Sequence, residues 1–82
     1  MKRYLMFGFD NYYPGGGMND FIFDFDTVDE MKKEIKKINK NKHWEFQNYN
    51  AIDTETGKIF GGYGTTARRV GNMIEKHEEE SE

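Results

Sequence analysis

No cysteine occurs in the 82 residues, so no disulfide framework, thiolate zinc site or thiol nucleophile can supply stability or chemistry. Long apolar runs are missing too. None approaches the roughly 20 residues needed to span a bilayer, and the mean hydropathy is −0.98. The start, Met1-Lys2-Arg3, is basic, but the apolar stretch after it breaks at Asp10 and no small-residue cleavage site follows. A soluble cytoplasmic protein with no membrane contact is therefore expected. A chain of this length folds as a single domain, which rules out a two-domain enzyme. We expect that domain to run from residue 1 to 77, followed by an acidic, frayed tail at 78–82.

Aliphatics are sparse: hydrophobic residues make up 35% of the chain, against roughly 45 to 50% in ordinary domains when glycine is counted. Aromatics compensate. Seven Phe, five Tyr and one Trp make up 16% of the sequence, and each can bury roughly 150 to 250 Å². The net charge of −3 conceals segregation. Residues 1–31 carry −4, residues 32–43 carry +5 and residues 44–82 carry −4, a pattern able to steer a charged partner by its local field.

Residues 3–9 alternate Leu5, Phe7 and Phe9 with Tyr4, Met6 and Gly8, the period of a strand with two unequal faces. Phe21, Phe23 and Phe25 share one parity in a second strand, with Asp24 and Asp26 on the other. Thr27 and Glu30 have the capping-box spacing, and Val28, Met31, Ile35 and Ile38 form the apolar stripe of a helix. Residues 43–53 read as a third strand in which Trp44, Phe46 and Ile52 have one parity and Tyr49 and Ala51 the other, so a bulge or a change of face near Asn48 is expected. Gly57 sits where a type I turn and bulge needs a left-handed residue, and residues 59–63 return. Thr65 or Thr66 caps a last helix with Ala67, Val70, Met73 or Ile74, and His77 on its stripe. Gly71 inside it costs about 1 kcal/mol relative to Ala.

The order is thus β-β-α-β-β-α, an α+β fold with a small antiparallel sheet and both helices packed on one face. Phe7, Phe9, Phe21, Phe23, Phe25, Phe46 and Ile59 are expected to build the interior with the helix stripe. Tyr12, Tyr13 and Tyr63 stand at glycine loops, where core duty is less natural.

The run Tyr12-Tyr13-Pro14-Gly15-Gly16-Gly17 could leave backbone N–H groups free for an anion. It opens no helix and lacks a following Lys and Ser or Thr, and Asp10 and Asp20 flank it, so a loop presenting its tyrosines to a protein partner is favoured. Arg68 and Arg69, which follow a second glycine-rich stretch at residues 61–64, would complete a nucleotide-metabolite site with Gly15, Gly16 and Gly17 on the alternative reading. Asp20, Asp24, Asp26 and Asp29 lack the spacing of a calcium loop and read as solvent-facing. His43 and His77 show no spacing that would give either an orienting carboxylate. No enzyme, metal or cofactor is therefore expected. The helix lysines read as a solvated face of an acidic protein without RNA-recognition sequences, so nucleic acid is not the expected partner.

The segment Tyr12-Tyr13-Pro14-x-Gly16-Gly17-x-x-Asp20-Phe21, then Phe25-Asp26-Thr27 before the helix, and Asp53-x-x-Thr56-Gly57-Lys58-Ile59 after Trp44, together resemble a group of small phage-encoded proteins with a YYPxGGxxDF, FDT and DxxTGKI pattern. The resemblance covers about residues 3–60. It implies an accessory, host-takeover protein that binds a bacterial host protein and inhibits or redirects it. Tyr12, Tyr13, Trp44 and Tyr63 are the expected anchors, and the aromatic excess leaves room for a homodimer.

Overall fold

A computed structural model describes residues 1–10, 20–40 and 46–80. The elements are β1 (Tyr4–Phe9), β2 (Phe21–Phe25), α1 (Val28–Lys40), β3 (Asn48–Asp53), β4 (Ile59–Gly62) and α2 (Ala67–Glu80). Four strands form one sheet in the order β2-β1-β3-β4, and every neighbouring pair is antiparallel. β1 therefore lies inside the sheet, and β4 is one of its two edges.

Both helices pack on the same side, where Tyr4, Met6, Phe23, Phe25, Tyr49, Ala51 and Phe60 of the sheet meet Met31 and Ile38 of α1 and Ala67, Val70 and Ile74 of α2 in one cluster. α1 lies over β2, and α2 over β3 and β4. The core face of β1 is thus the Tyr4, Met6 parity and not the Phe7, Phe9 parity that the sequence suggests. Tyr4 and Met6 are almost wholly buried, whereas Phe7 and Phe9 are half-buried on the other face. The reason is what the larger ring finds there: Tyr4 stacks on Phe25 at 5.1 Å and 12° and sends its hydroxyl to Glu78 of α2. Stacked pairs of this kind contribute about 0.5 to 1.5 kcal/mol beyond their area, and a phenol needs a partner when buried. Ile59 is likewise not interior. It is 63% exposed, and Phe60 takes the core position of β4.

One irregularity also moves Phe21. Met6 pairs with Phe23 but Phe7 pairs with Phe21, so Ile22 is an extra residue in β2, a bulge that reverses parity beyond it. Ile22 packs on the core and Phe21 sets its ring edge-on to Phe7 on the opposite face. Near Asn48 it is the change of face that is found: β3 pairs with β1 over Asn48–Asp53 without a register shift, while Phe46 before it and Tyr49 within it, of opposite parity, both pack on the core. β3 begins at Asn48, and Phe46 packs against the core from just before it.

The helix starts follow local chemistry. Thr27 Oγ1 accepts the Glu30 N–H at 3.2 Å and Thr66 Oγ1 the Arg69 N–H at 3.2 Å, each satisfying a free first-turn donor. The β3–β4 turn closes with Gly57 at φ 78°, its N–H donating to the Asp53 carbonyl at 2.7 Å, as a type I turn with a glycine bulge requires. Gly71 lies where the helices cross: a Cβ there would stand 2.9 Å from Ile35 Cδ1. Its missing side chain lets α1 and α2 approach.

Candidate functional site at the β4 edge

Asp53 ends β3 and is fully buried. Such a carboxylate must be neutralised or richly hydrogen-bonded, and four groups converge on it. Arg3 Nε donates to Oδ1 at 3.0 Å and Nη2 to Oδ2 at 2.9 Å; the Glu55 N–H donates to Oδ1 at 3.0 Å; and His77 Nε2 lies 3.1 Å from Oδ2. The bidentate guanidinium is the main cause that holds the Asp53 carboxyl well below the usual carboxylate range, against the opposing effect of burial, with the Glu55 N–H and His77 adding to it. An ionised carboxylate only accepts, so His77 donates through Nε2. Arg3 is raised in turn, chiefly by that hydrogen bond.

The same cluster reaches α2 a second time. Glu78 accepts the Tyr4 hydroxyl and lies 3.5 Å from Arg3 Nη1. Burial first, and this carboxylate second, push the Tyr4 hydroxyl above its ordinary value. Residues 78–80 are the last turn of α2, fastened to the sheet by His77 and Glu78 together.

On the far side of His77 a groove of about 330 Å³ runs between β4 and α2, lined by Lys58, Ile59, Phe60, Met73, Lys76 and His77 among others. Phe60 forms part of its wall, with the His77 ring edge-on at 5.2 Å and Lys58 Nζ 5.4 Å above the ring. The bonds that close the turn set the phase of the edge: Asp53 N–H donates to the Lys58 carbonyl at 2.9 Å, and antiparallel ladders alternate. Ile59 therefore turns its own N–H and C=O away from β3, into the open edge.

Tyr63 stands at the tip of the following turn, 77% exposed. Gly61, Gly62 and Gly64 have φ of 83°, 146° and 73°. The turn is tied down by Asn48, buried, whose Oδ1 accepts the Gly64 N–H at 2.7 Å and whose Nδ2 donates to the Phe9 carbonyl at 3.2 Å. Phe9 meets the Tyr63 ring edge-on at 5.4 Å. The turn is built to hold an aromatic ring out toward solvent.

Of the residues singled out from sequence, Tyr63 is exposed at this edge, while Tyr12, Tyr13, Gly15, Gly16, Gly17 and Trp44 lie outside the described residues. Arg68 and Arg69 begin α2 on different faces: Arg68 borders a groove against α1, which Arg69 does not line. The His77–Asp53 contact answers the missing orienting carboxylate. Its partners are 24 residues apart, and Arg3 is 50 from Asp53, so no local spacing could reveal the cluster. Asp24 and Asp26 accept the backbone N–H groups of Lys2 and Arg3 at 3.1 and 2.9 Å, which positions Arg3 for Asp53. Among the described residues no group of three or more His, Cys, Asp or Glu is placed to hold a metal ion.

Residues 4–63 match the family model described as Bacteriophage T4 protein Y07C, and since this span exceeds half the chain, the protein belongs to that phage family. The match runs from the first residue of β1 to Tyr63, with α2 beyond it. No curated protein and no solved structure matches the chain.

Proposed function

We propose that this member of the Bacteriophage T4 protein Y07C family is a non-enzymatic accessory protein that acts in the host cytoplasm by binding a bacterial host protein, which it inhibits or redirects, and that the β4 edge makes the contact. One observation carries this reading. Ile59, Tyr63 and Met73, exposed by 63%, 77% and 42%, are three of the four large exposed apolar side chains among the described residues, and all three belong to β4, its turn or the helix beside it. Ile59 and Met73 line one groove and Tyr63 stands just beyond the end of β4; exposed apolar side chains gathered along one edge, and not scattered, fit an interaction surface. The aromatic is held by a fixed turn, so little conformational entropy is lost when it docks.

The polar cluster behind this edge fits the same role. Arg3, Asp53, His77 and Glu78 fasten α2 to the sheet and keep the groove walls in place. A rigid frame behind exposed anchors is what binding requires.

The test is affinity capture from lysate of the bacterial host with wild type and with the double variant Ile59→Asp, Tyr63→Ala, both checked for native far-UV spectra. We expect one host protein enriched by wild type and lost with the variant. Recovery of the same set by both proteins overturns the assignment of this edge. Mass in solution at two concentrations separates a host partner from a second copy of the chain.

A further inference from the structure

We infer that the groove between α1 and α2, on the helical side of the molecule, is a second docking site, and that its occupant is an acidic amphipathic helix of a protein partner. The groove measures about 310 Å³, and Met31, Ile35 and Gly71 form its floor, with Lys32, Lys36 and Arg68 on the rim. Gly71 lets the two helices approach there, with Ile35 Cδ1 packed against it. The floor is apolar and Ile35 is only half-buried in it, so part of the stripe of α1 is left for something else to cover.

The charge on the rim specifies what that is. Glu75, also on the rim, is engaged by Lys32 at 3.2 Å. Lys36 and Arg68 have no ion-pair partner among the described residues. This face is positive on a chain of net charge −3. A partner is steered by the local field rather than the total, so this face selects carboxylates around an apolar anchor. A helix in a groove presents anchors at i and i+3 or i+4 with its flanks free for charge, which matches an apolar floor with one cation outside any ion pair on each bank, Lys36 on α1 and Arg68 on α2. A nucleic-acid backbone would use the lysines but leave the floor uncovered, and among the described residues no aromatic ring lines the groove for a base to stack on. The inference does not depend on the β4 edge.

The experiment is fluorescence anisotropy on the full chain with a panel of labelled amphipathic helical peptides, each about 15 residues long, with Leu or Phe anchors and glutamate flanks. Matched panels carry lysine flanks or alanine anchors, and a labelled single-stranded oligonucleotide is run beside them. Saturable binding of acidic, anchored peptides is expected, weakened by salt and by at least roughly tenfold in the variant Lys36→Glu, Arg68→Glu. The milder pair Lys36→Gln, Arg68→Gln is expected to fall between. Ile59→Asp, Tyr63→Ala is expected to bind the peptides as wild type does, which separates this site from the β4 edge. The proposal is overturned if no acidic peptide saturates, if lysine-flanked or alanine-anchored peptides bind equally well, if charge reversal leaves binding unchanged, or if the oligonucleotide binds more tightly than the peptides.

Discussion

Arg3 grips both carboxylate oxygens of Asp53, at 3.0 and 2.9 Å, across 50 residues of chain. This single contact joins the first residues before β1 to the last residue of β3, and His77 and Glu78 extend it to α2. The pair is asymmetric in exposure, with the Arg3 side chain 25% exposed and Asp53 at 0%. Removing the carboxylate charge leaves a guanidinium half-satisfied at a partly buried site. Asp53→Asn is expected to destabilise the fold by about 3 kcal/mol, the lower end of the range for broken buried pairs, because Arg3 retains some solvent. Urea unfolding measures it directly.

The pH dependence follows from the same carboxylate. Its folded value lies below the usual 3.8, so the stability it contributes is fully present above the unfolded value and is lost as pH falls through the folded one. The wild type should lose stability progressively below about pH 4, and the difference between wild type and Asp53→Asn should shrink over that range. Tyr4 has the opposite sign. With its folded value raised above 10, its contribution is complete below 10 and is lost as pH rises through the folded value. Tyr4→Phe should flatten the alkaline limb of the stability profile, read by unfolding at a series of pH values.

Gly61 and Gly71 give contrasting predictions. At Gly61 φ is 83°, and a Cβ would stand 2.6 Å from the Tyr49 carbonyl oxygen and 2.8 Å from Val70 Cγ2. Neither a backbone oxygen nor a β-branched core side chain can give way cheaply. Gly61→Ala should cost about 2 kcal/mol or more. At Gly71 the nearest atom is the terminal Cδ1 of Ile35, the next is Met31 Cε at 3.5 Å, and the backbone is helical. The gain in helix propensity, about 1 kcal/mol, outweighs a small Ile35 shift, so Gly71→Ala should be neutral to slightly stabilising. Thermal melts of the two variants are expected to move in opposite directions from each other or to differ by several degrees.

Much of the fold was legible locally. The Thr27 cap, the Gly57 turn and the helix stripe each rest on residues within a few positions of one another, where spacing translates into geometry. The facing of β1 was not, because both of its parities are apolar: Tyr4 and Met6 compete with Leu5, Phe7 and Phe9, and what decides is the Phe25 ring and the Glu78 carboxylate that only the fold brings near Tyr4. Phe21 was misplaced because one extra residue, Ile22, reverses the parity of β2 without any glycine or proline to mark it. At the candidate site, Tyr63 between glycines was readable as exposed. The Arg3, Asp53 and His77 cluster was not, since Asp53 looks like any acidic turn residue until the antiparallel pairing of β1 with β3 places Arg3 beside it. Phe60 was passed over in favour of Ile59 because the returning strand is short and its glycines give no alternation to count.

The edge anchors should be separable from the fold. Ile59 and Tyr63 are solvent-exposed in the free chain, so Ile59→Asp with Tyr63→Ala should change stability by no more than about 1.5 kcal/mol, most of it the edge-on contact of Tyr63 with Phe9. Denaturant unfolding of the free protein checks this, and its outcome fixes the meaning of any loss of binding.

We propose the β4 edge as the binding surface. Its most direct test is the dissociation constant of the captured host protein, purified and titrated calorimetrically against wild type and against Ile59→Asp, Tyr63→Ala. Anchors of this size predict a loss of about 2 kcal/mol or more, at least roughly thirtyfold in affinity. Equal affinity of the two proteins for the same partner would contradict the claim.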